Sequence, residues 1–406
     1  MKLFLQLAWR NLWRNKRRTI ITISSIFFAV IFALIMRSMQ RGYYDYSIKM
    51  SASMFTGYIQ VHGQDFWEKR SLDQSMTVRA EDFRRLEHLP HVTQVVARLE
   101  SFALVSYGDV TKVASLIGID PLREDEMTHL QSKLVAGQYL TYSSDGVLIA
   151  EGLAEIMQIS VGDSIVVFGQ GYQGVTAAAL LPVSGIVKFN LPNLNKTFIY
   201  LSLKQAQWLF GADERLTSVS LMLDNVANID KVEKTARQIF GPEYELMTWD
   251  EMMPELVQSI AADNAGGVIM MIILYVVIGF GIFATVMMMT AERQREFGVL
   301  VSVGMKKRIL MFVTFIETLF VSFIGVIGGG LISLPILYYY YLHPFKMSGK
   351  AAEALQAFGF EAIMPFSLKP EIFTEQIMIT LIIAICSVLY PILFIRKLKP
   401  ANALHG

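Results

Sequence analysis

The chain has 406 residues, of which 53% are hydrophobic and only 17% are charged, with a formal net charge of +1. Soluble domains usually carry about 25% charged residues. This composition, with a mean hydropathy of +0.42, predicts a membrane protein and excludes the strongly basic character of a nucleic-acid-binding protein. The single cysteine, Cys386, excludes an intrachain disulfide and is predicted to be a small buried hydrophobic side chain.

The N-terminal segment, residues 1–18, is basic and contains two tryptophans. A helical projection places four polar side chains on one face: Gln6, Arg10, Arg14 and Arg17. Trp9 and Trp13 flank this face, and indole rings favour the head-group level of a membrane. The segment is therefore predicted to form an amphipathic helix that lies in the inner membrane interface.

Four apolar segments are long enough to cross a bilayer, since a span needs about 20 residues at 1.5 Å of rise each. We assign these spans to residues 19–41, 265–291, 309–342 and 372–396. The first is expected to be a signal anchor and not a cleaved signal, because its basic flank is long and no clear cleavage site follows it.

Basic residues cluster before the first span, within residues 292–308 and after the fourth span. The positive-inside rule then places both termini and the 292–308 segment in the cytoplasm. Residues 42–264 and the short loop 343–371 are predicted to be extracytoplasmic, and residues 397–406 to form a cytoplasmic tail.

The long insert, residues 42–264, alternates β-rich runs with helical stretches and is large enough to bury its own core. It is predicted to be a mixed α/β domain, so the whole chain is classed as an α+β membrane protein with four transmembrane helices. Separate strands are expected at 92–97 and 103–105. A strand followed by a helix over 218–240 predicts a βαβ-like half, and the Gly-rich stretch 169–174 predicts a loop or a second subdomain.

The segment between spans two and three is the most specific motif. Residues 292–305 read Glu-Arg-Gln-Arg-Glu-Phe-Gly-Val-Leu-Val-Ser-Val-Gly-Met. This order resembles the coupling segment of the FtsX/MacB/LolC family of ABC transporter permeases and matches essentially all of its patterned positions. Residues 134–203 follow the order of that family's extracytoplasmic domain, and residues 389–404 are similar to its closing segment.

The resemblance implies a type VII ABC permease that dimerises in the membrane and is driven by a cytoplasmic ABC ATPase dimer. The residues expected to couple to the ATPase are Glu292, Arg293, Arg295, Glu296, Phe297, Gly298, Val299, Leu300 and Gly304. Their charged side chains are expected to form salt links with the ATPase. The apolar ones, Phe297, Val299 and Leu300, are expected to fill a groove on its surface.

The sequence contains no phosphate-binding Gly-x-x-x-x-Gly-Lys-Ser/Thr loop and none of the common hydrolase or metal motifs. We therefore expect a non-catalytic subunit that binds no metal and no cofactor, while the partner ATPase uses ATP and Mg²⁺.

Two features inside the spans carry alternatives. Glu317 is a carboxylate deep in the third span, where burial of a charge is costly. It is expected to hydrogen-bond Thr314, Thr318 or a neighbouring helix, with a proton-coupled role as the weaker alternative. Gly325 and the triplet 328–330 indicate either close helix packing or a hinge.

Within the family, the length, the single insert and the absence of a fused ATPase are similar to the LolC/LolE branch, which extracts lipoproteins from the inner membrane. The resemblance then implies an acyl-chain cavity lined by Phe28, Phe32, Ile35, Met36, Met270, Met271 and Leu274. Ordinary lipid-facing or dimer-packing roles are the alternative for these residues.

The expected partners are the ATPase dimer, a second permease subunit of the same or a different sequence, lipidated or hydrophobic cargo, and membrane lipid. A periplasmic chaperone is a further candidate, and nucleic acid is not expected. The expected location is the bacterial inner membrane, with the large domain in the periplasm. The alternative functions are a MacB-like efflux or peptide-export permease and an FtsX-like scaffold that regulates a periplasmic hydrolase.

Overall fold

The computed structural model describes residues 2–14, 16–357 and 361–397. The chain divides into two compact units. The first, here the membrane unit, comprises Met1–Tyr44, Ser259–Phe345 and Met364–Gly406. The second, here the domain unit, comprises Asp45–Gln258 and Lys346–Ile363.

The described helices are named in chain order. They are α1 Lys2–Arg14, α2 Lys16–Ser51, α3 Phe66–Lys69, α4 Ala80–Glu87, α5 Pro121–Thr128, α6 Glu151–Met157, α7 Pro192–Asn195, α8 Leu203–Phe210, α9 Ile229–Phe240, α10 Trp249–Met252, α11 Pro254–Glu292, α12 Gln294–Ser302, α13 Lys307–Leu342, α14 Lys350–Ala357, α15 Pro370–Ser387 and α16 Leu389–Lys397.

The described strands are named in the same way. They are β1 Ile59–Gly63, β2 Val92–Tyr107, β3 Val110–Ile119, β4 Leu134–Gly137, β5 Val147–Ala150, β6 Ser164–Gln170, β7 Thr176–Val187, β8 Phe198–Ser202, β9 Ser218–Leu223, β10 Tyr244–Thr248, β11 Phe345–Lys346 and β12 Ile363–Met364.

Four helical segments are long and apolar enough to cross a membrane. They are Thr19–Thr56, Pro254–Glu292, Lys307–Leu342 and Pro370–Lys397. In the membrane unit, α2, α11, α13 and α15 share one apolar core that includes Ile26, Leu34, Ile282, Val326 and Ile372. The expected tail 397–406 lies outside the described residues except for Lys397, which ends α16.

The N-terminal region differs from the single interfacial helix expected over residues 1–18. Helix α1 ends at Arg14, and α2 begins at Lys16 and continues into the first span. Arg17 therefore belongs to α2 and does not share a helix with Gln6 and Arg10. The side chain of Leu12, at 3% exposure, packs against the core of the spans. This packing is a tertiary contact that a helical projection of the segment alone does not contain.

The fourth span is divided into α15 and α16 at Val388. Pro391 causes this break, because its ring clashes with the carbonyl four residues earlier, at Ser387, and it lacks a backbone donor. The buried side of α15 repeats every four residues, at Ile372, Gln376, Thr380 and Ala384. Cys386 lies off this stripe and is exposed, so the expectation that it is buried was wrong.

The domain unit is built on a ten-stranded sheet. At one end the order is β10-β1-β9-β2, with β1 antiparallel to both β10 and β9. Strands β9 and β10 therefore run parallel to each other, joined through α9, with β1 inserted between them. This arrangement is a split form of the βαβ-like half expected over 218–240.

Six of the remaining strand pairings close into a ring, and β4 pairs with β7 outside this ring. Strand pairs β2-β3, β3-β8, β8-β5, β5-β7, β7-β6 and β6-β2 form a complete circuit. Side chains from these strands and from α6 and α8 form one apolar cluster, which includes Leu99, Leu116, Ile149, Val167 and Phe210. Within this ring every strand is paired on both sides, while β10 and β4 remain the end strands of the whole sheet.

Two strand expectations needed correction. The runs 92–97 and 103–105 belong to the single strand β2, which is long because its first half pairs with β9 and its second half with β6. Strand β3 was missed, although Gly108 at φ +54° marks a two-residue hairpin turn before it. Within the stretch 169–174, Gly169 and Gln170 end strand β6, and the remaining residues form the short connection to β7, which contains a 3-10 turn at Tyr172–Gly174.

Candidate functional site

The segment expected to meet the ATPase forms the short helix α12 between the second and third spans. It ends in two backbone hydrogen bonds, from Gly304 N to Val301 O at 3.1 Å and from Met305 N to Leu300 O at 3.0 Å. These two bonds form a Schellman motif, which requires a left-handed residue just beyond the helix. Gly304 supplies it with φ +105°. The sequence therefore sets a sharp, defined end to α12 before α13 begins.

One side of α12 is buried in the membrane unit. Phe297 is 1% exposed and clusters with Leu310 of α13 and Ile395 of α16. Gly298 beside it is also buried. These two residues, expected to contact the ATPase, instead attach α12 to the spans.

The other side of α12 is open. Arg295 and Glu296 are exposed, and so are Val299 and Leu300. Val303, in the turn that follows, is 83% exposed. Glu292 and Gly304 are also exposed, at the two ends of this surface. A short helix with an anchored inner side and an exposed outer side that carries both charged and apolar residues can receive a partner without losing its own packing.

Arg293 lies between α11 and α12 and points into the protein. It is 8% exposed, its guanidinium donates hydrogen bonds to both carboxylate oxygens of Glu317, and it stacks 5.1 Å from the Phe297 ring centroid. The expected salt link from Arg293 to the ATPase conflicts with this placement, because its charge is already compensated inside the chain.

Glu317, at 3% exposure, has partners other than those expected within its own helix. The hydroxyls of Thr314 and Thr318 donate to backbone carbonyls one turn earlier, at 3.0 and 3.2 Å. The neighbouring segments supply the partners instead, namely Arg293 and Asn11 of α1, whose Nδ2 donates to Glu317 Oε1 at 2.7 Å. We name Asn11, Arg293 and Glu317 the Glu317 cluster.

Helix α1 is attached to this region by further contacts. Ala8 is fully buried against Val313 and Ile316 of α13, and Trp9 meets Phe320 edge to face at 5.9 Å. At the surface, Arg14 forms an ion pair with Glu296 of α12.

The sequence contained a signal for the Glu317 cluster. A carboxylate buried in a span needs a cation or several donors nearby, and Arg293 stands at the adjoining end of span two. The signal was missed because Arg293 was assigned to the contact with the ATPase. The contact of Asn11 was not predictable from the helical projection, because the polar face of that projection comprised only Gln6 and the arginines.

The residues expected to line an acyl-chain cavity lie in different environments. Phe28, Phe32 and Met270 are more than half exposed in the single chain, while Met271 is 6% exposed. Ile35 and Leu274 both pack on the shared core of the spans, and Met36 is half-buried. The outward aromatic side chains on α2 are therefore available to lipid, cargo or a second subunit, whereas Met271 is committed to internal packing.

Across residues 2–14, 16–357 and 361–397, no three His, Cys, Asp or Glu side chains come together as a metal site. The region around α1 and α12 contains a buried ion pair, two packed short helices and an exposed apolar surface.

Two family models match the chain. The model of the FtsX-like permease C-terminal domain matches residues 268–400, which include most of the second span, α12, and the third and fourth spans. The model of the MacB-like periplasmic core domain matches residues 19–239.

Curated relatives carry the name lipoprotein-releasing system transmembrane protein LolC. The protein from Xylella fastidiosa (strain 9a5c) is 24% identical over 334 residues, which cover 78% of each chain. The protein from Neisseria meningitidis serogroup B (strain ATCC BAA-335 / MC58) is 21% identical over 240 residues, 56% of each chain.

Two of the solved structures that match the chain are isolated domains. The extracellular domain of the noncanonic ABC-type transporter YknZ from Gram-positive bacteria is 19% identical, with a TM-score of 0.35, and the match covers 47% of this chain and 99% of that domain. The periplasmic region of MacB from Actinobacillus actinomycetemcomitans is 13% identical, with a TM-score of 0.37, covering 50% and 94%.

The core-domain model alone spans more than half of the chain, and the permease model covers most of the remainder. With its four membrane-spanning segments, the chain therefore belongs to the FtsX/MacB/LolC-type permeases of ABC transporters, the non-catalytic multi-pass subunits that carry a MacB-like periplasmic core domain.

Proposed function

We propose that this chain couples ATP hydrolysis by a separate cytoplasmic ATPase to movements of its periplasmic domain. The observation that carries this proposal is the two-sided construction of α12. Its inner side is fixed to the spans through Phe297, and its outer side exposes Val299, Leu300 and Val303. A force applied to the outer side acts on α11 and α13 together, because α12 connects them directly. Rigid-body motion of spans is an established form of conformational switching.

The proposed cargo is a lipoprotein that the complex extracts from the inner membrane for delivery to the outer membrane. The names of the curated relatives support this choice. Exposed apolar side chains on the spans, Phe28, Phe32 and Met270, are suited to acyl chains, and methionine adapts to flexible apolar ligands. In this proposal the partner ATPase binds ATP and Mg²⁺, and a second permease subunit completes the membrane dimer.

A MacB-like export function is the second candidate, because the MacB-like core model spans residues 19–239. Reconstitution separates the two. The complex in proteoliposomes would be given ATP with either a triacylated lipoprotein in the bilayer or a soluble peptide inside the vesicles. ATP-dependent release of the lipoprotein supports the first proposal, and transport of the peptide alone would replace it with the second.

The contact with the ATPase is tested by Val303→Asp. Loss of an apolar contact at the centre of an interface costs about 2 kcal/mol or more, which corresponds to roughly thirtyfold weaker binding. The measurement is copurification of the ATPase and its stimulated ATP turnover. Leu122→Asp is the matched control, since Leu122 is 79% exposed in the domain unit. Equal ATPase binding by wild type and Val303→Asp would overturn the assignment of this surface.

The end of α12 gives a second test of the same assignment. Gly304→Pro is expected to abolish coupling while membrane insertion continues, because proline holds φ near −65° and the Schellman turn needs φ +105° here. Glu296→Lys is expected to do the same by reversing a charge on the exposed side. Normal transport-linked ATP turnover in both variants would contradict the proposed lever.

A further inference from the structure

We propose that Glu317 is a positioning residue that holds the N-terminal helix α1 and the coupling helix α12 in one fixed register on α13, so that α1 moves with α12 as part of the lever. The role of α1 in the lever rests on the proposed coupling function. The positioning by Glu317 needs no partner and can be tested in the isolated chain.

The first argument is that two other segments supply hydrogen-bond donors to the Glu317 carboxylate. Oε1 accepts from Asn11 Nδ2 at 2.7 Å and from Arg293 NH2 at 3.4 Å, while Oε2 accepts from Arg293 NH1. One donor comes from α1 and the other stands directly before α12. Glu317 therefore bonds both segments at once, although it is more than 300 residues from Asn11 in the chain.

The second argument is burial. Glu317 and Arg293 have side-chain exposures of 4% and 10%. A buried ion pair with one partner moved away leaves an uncompensated charge, which is strongly unfavourable. The pair therefore tolerates little displacement of Arg293, which stands at the junction of α11 and α12. An exposed pair would impose no such restriction, because water would replace the lost partner.

The third argument concerns α1. Its described buried and half-buried side chains are Ala8, Asn11 and Leu12. Ala8 and Leu12 are small or flexible apolar groups, and apolar contacts alone are non-directional. The hydrogen bond from Asn11 to Glu317 defines the rotation and height of α1, as a single buried polar residue defines register in paired helices. The ion pair of Arg14 with Glu296 joins α1 to α12 a second time, at the surface.

The consequence is that the ATPase would act on a three-part body made of α1, α12 and the start of α13. Because α2 begins two residues after α1 ends, a displacement of α12 would also be passed to the first span. Without α1, a displacement of residues 292–305 would act directly only on the second and third spans.

The positioning is tested first in the full chain without any partner. Spin labels on Gln6→Cys in α1 and Val303→Cys after α12, in a Cys386→Ser background, report the distance between the two helices by pulsed electron resonance in nanodiscs. Both sites are exposed. A single narrow distance distribution is expected for the otherwise wild-type chain, and a broad or shifted one for Asn11→Leu, which removes the bond from α1.

A double variant distinguishes a loss of positioning from misfolding. Arg293→Met with Glu317→Met removes both charges, a replacement that buried pairs often tolerate without loss of stability. We expect it to retain its melting temperature but to broaden the distance distribution. Glu375→Gln, an exposed carboxylate in the fourth span, is the control and should leave the distribution narrow. An unchanged narrow distribution in both Asn11→Leu and the double variant would overturn the proposal.

The second measurement adds the copurifying ATPase. Asn11→Leu and the double variant should bind it but lower its permease-dependent ATP turnover by roughly five- to 150-fold, the usual range for coupling between two sites. Retained turnover with a broadened distance distribution would refute the role of α1 in coupling. If the wild-type chain itself binds no ATPase, the proposed function fails, while the distance measurement still decides whether Glu317 positions the two helices.

Discussion

His62 is an ionisable residue that is buried in the domain unit without a partner of opposite charge. His62 is fully buried in β1, its Nε2 donates to Gln60 Oε1 at 2.7 Å, and its Nδ1 has no hydrogen-bond partner among the described residues. Burial, and to a smaller extent the charge of Arg70, lowers the pKa of His62 to about 3. The folded domain therefore holds the ring in its neutral form at neutral and mildly acidic pH.

This burial predicts a loss of stability in acid. The unfolded histidine has a pKa near 6.5, so unfolding takes up a proton between about pH 6.5 and pH 3, and lowering the pH through this window favours the unfolded state. The expected slope from His62 approaches about 1.4 kcal/mol per pH unit between pH 6 and pH 4. Urea unfolding of the full chain at pH 7 and pH 5 measures it.

His62→Gln is the matched variant, because a neutral amide can still donate to Gln60 and does not titrate. Its loss of stability between pH 7 and pH 5 should be smaller than that of the wild type. Equal losses in the two proteins would show that His62 is not protonated on unfolding in this window.

At the scale of elements, the glycines of α13 separate into packing and open positions. A Cβ on Gly325 would lie 2.8 Å from Ile26 Cβ, and one on Gly329 would lie 2.7 Å from the backbone oxygen of Phe27. These two glycines, four residues apart, let α13 and α2 approach closely, as small residues do between membrane helices. Helix α13 runs unbroken through the triplet 328–330, so packing accounts for Gly325 and Gly329 without a hinge.

Gly329→Val should therefore lower the stability of the membrane unit by about 1–3 kcal/mol, the usual cost of overpacking. Gly330→Val is the control one residue away, where nothing lies within 4 Å of the new Cβ. The melting temperatures of the two variants in the same detergent test whether the loss of stability is specific to Gly329. A larger decrease for Gly330→Val would mean that the triplet acts through its flexibility.

In the domain unit, one buried ion pair joins four elements. Arg98 of β2 and Glu124 of α5 are both fully buried, with Nε to Oε2 at 2.8 Å. Arg98 also donates to Ser220 of β9 at 3.2 Å and to the backbone oxygen of Phe55 in the π-helical turn Ala52–Thr56. The pair thus fixes the segment that follows α2 to the sheet.

Breaking this pair should be costly. Arg98→Met leaves Glu124 charged and unpaired, and removal of one partner from a buried pair usually costs about 3–5 kcal/mol. Lys69→Met is the control, since Lys69 pairs with Asp65 at the surface, where a pair contributes about 0–1 kcal/mol. Urea unfolding of the full-length variants gives both values, and similar losses for the two would contradict this ranking.

At the scale of the whole molecule, the basic residues around the spans predict that the domain unit and α12 face opposite sides of the membrane. Trp208, at 67% exposure, and Val303, at 83%, are convenient reporters. In a Cys386→Ser background, a membrane-impermeant maleimide should label Trp208→Cys once the outer membrane is permeabilised, and Val303→Cys only after lysis. Labelling of both cysteines from the same side of the membrane would contradict the proposed transmission across the bilayer.

The amino-acid sequence by itself determined the spans, the insert between the first two and the order of motifs that defines the family. These features depend on local properties: apolar length, the placement of basic residues and short-range turns such as that at Gly304.

Only the tertiary structure decided which side chains face inward. Arg293 and Phe297 belong to the same motif as Arg295 and Val299, and nothing local distinguishes them, yet Glu317 and Leu310 bury the first two. Closure of the sheet through β6 and β2 likewise depends on residues about 60 positions apart. Burial and pairing are set by segments distant in the chain, so a pattern read along one segment cannot contain them.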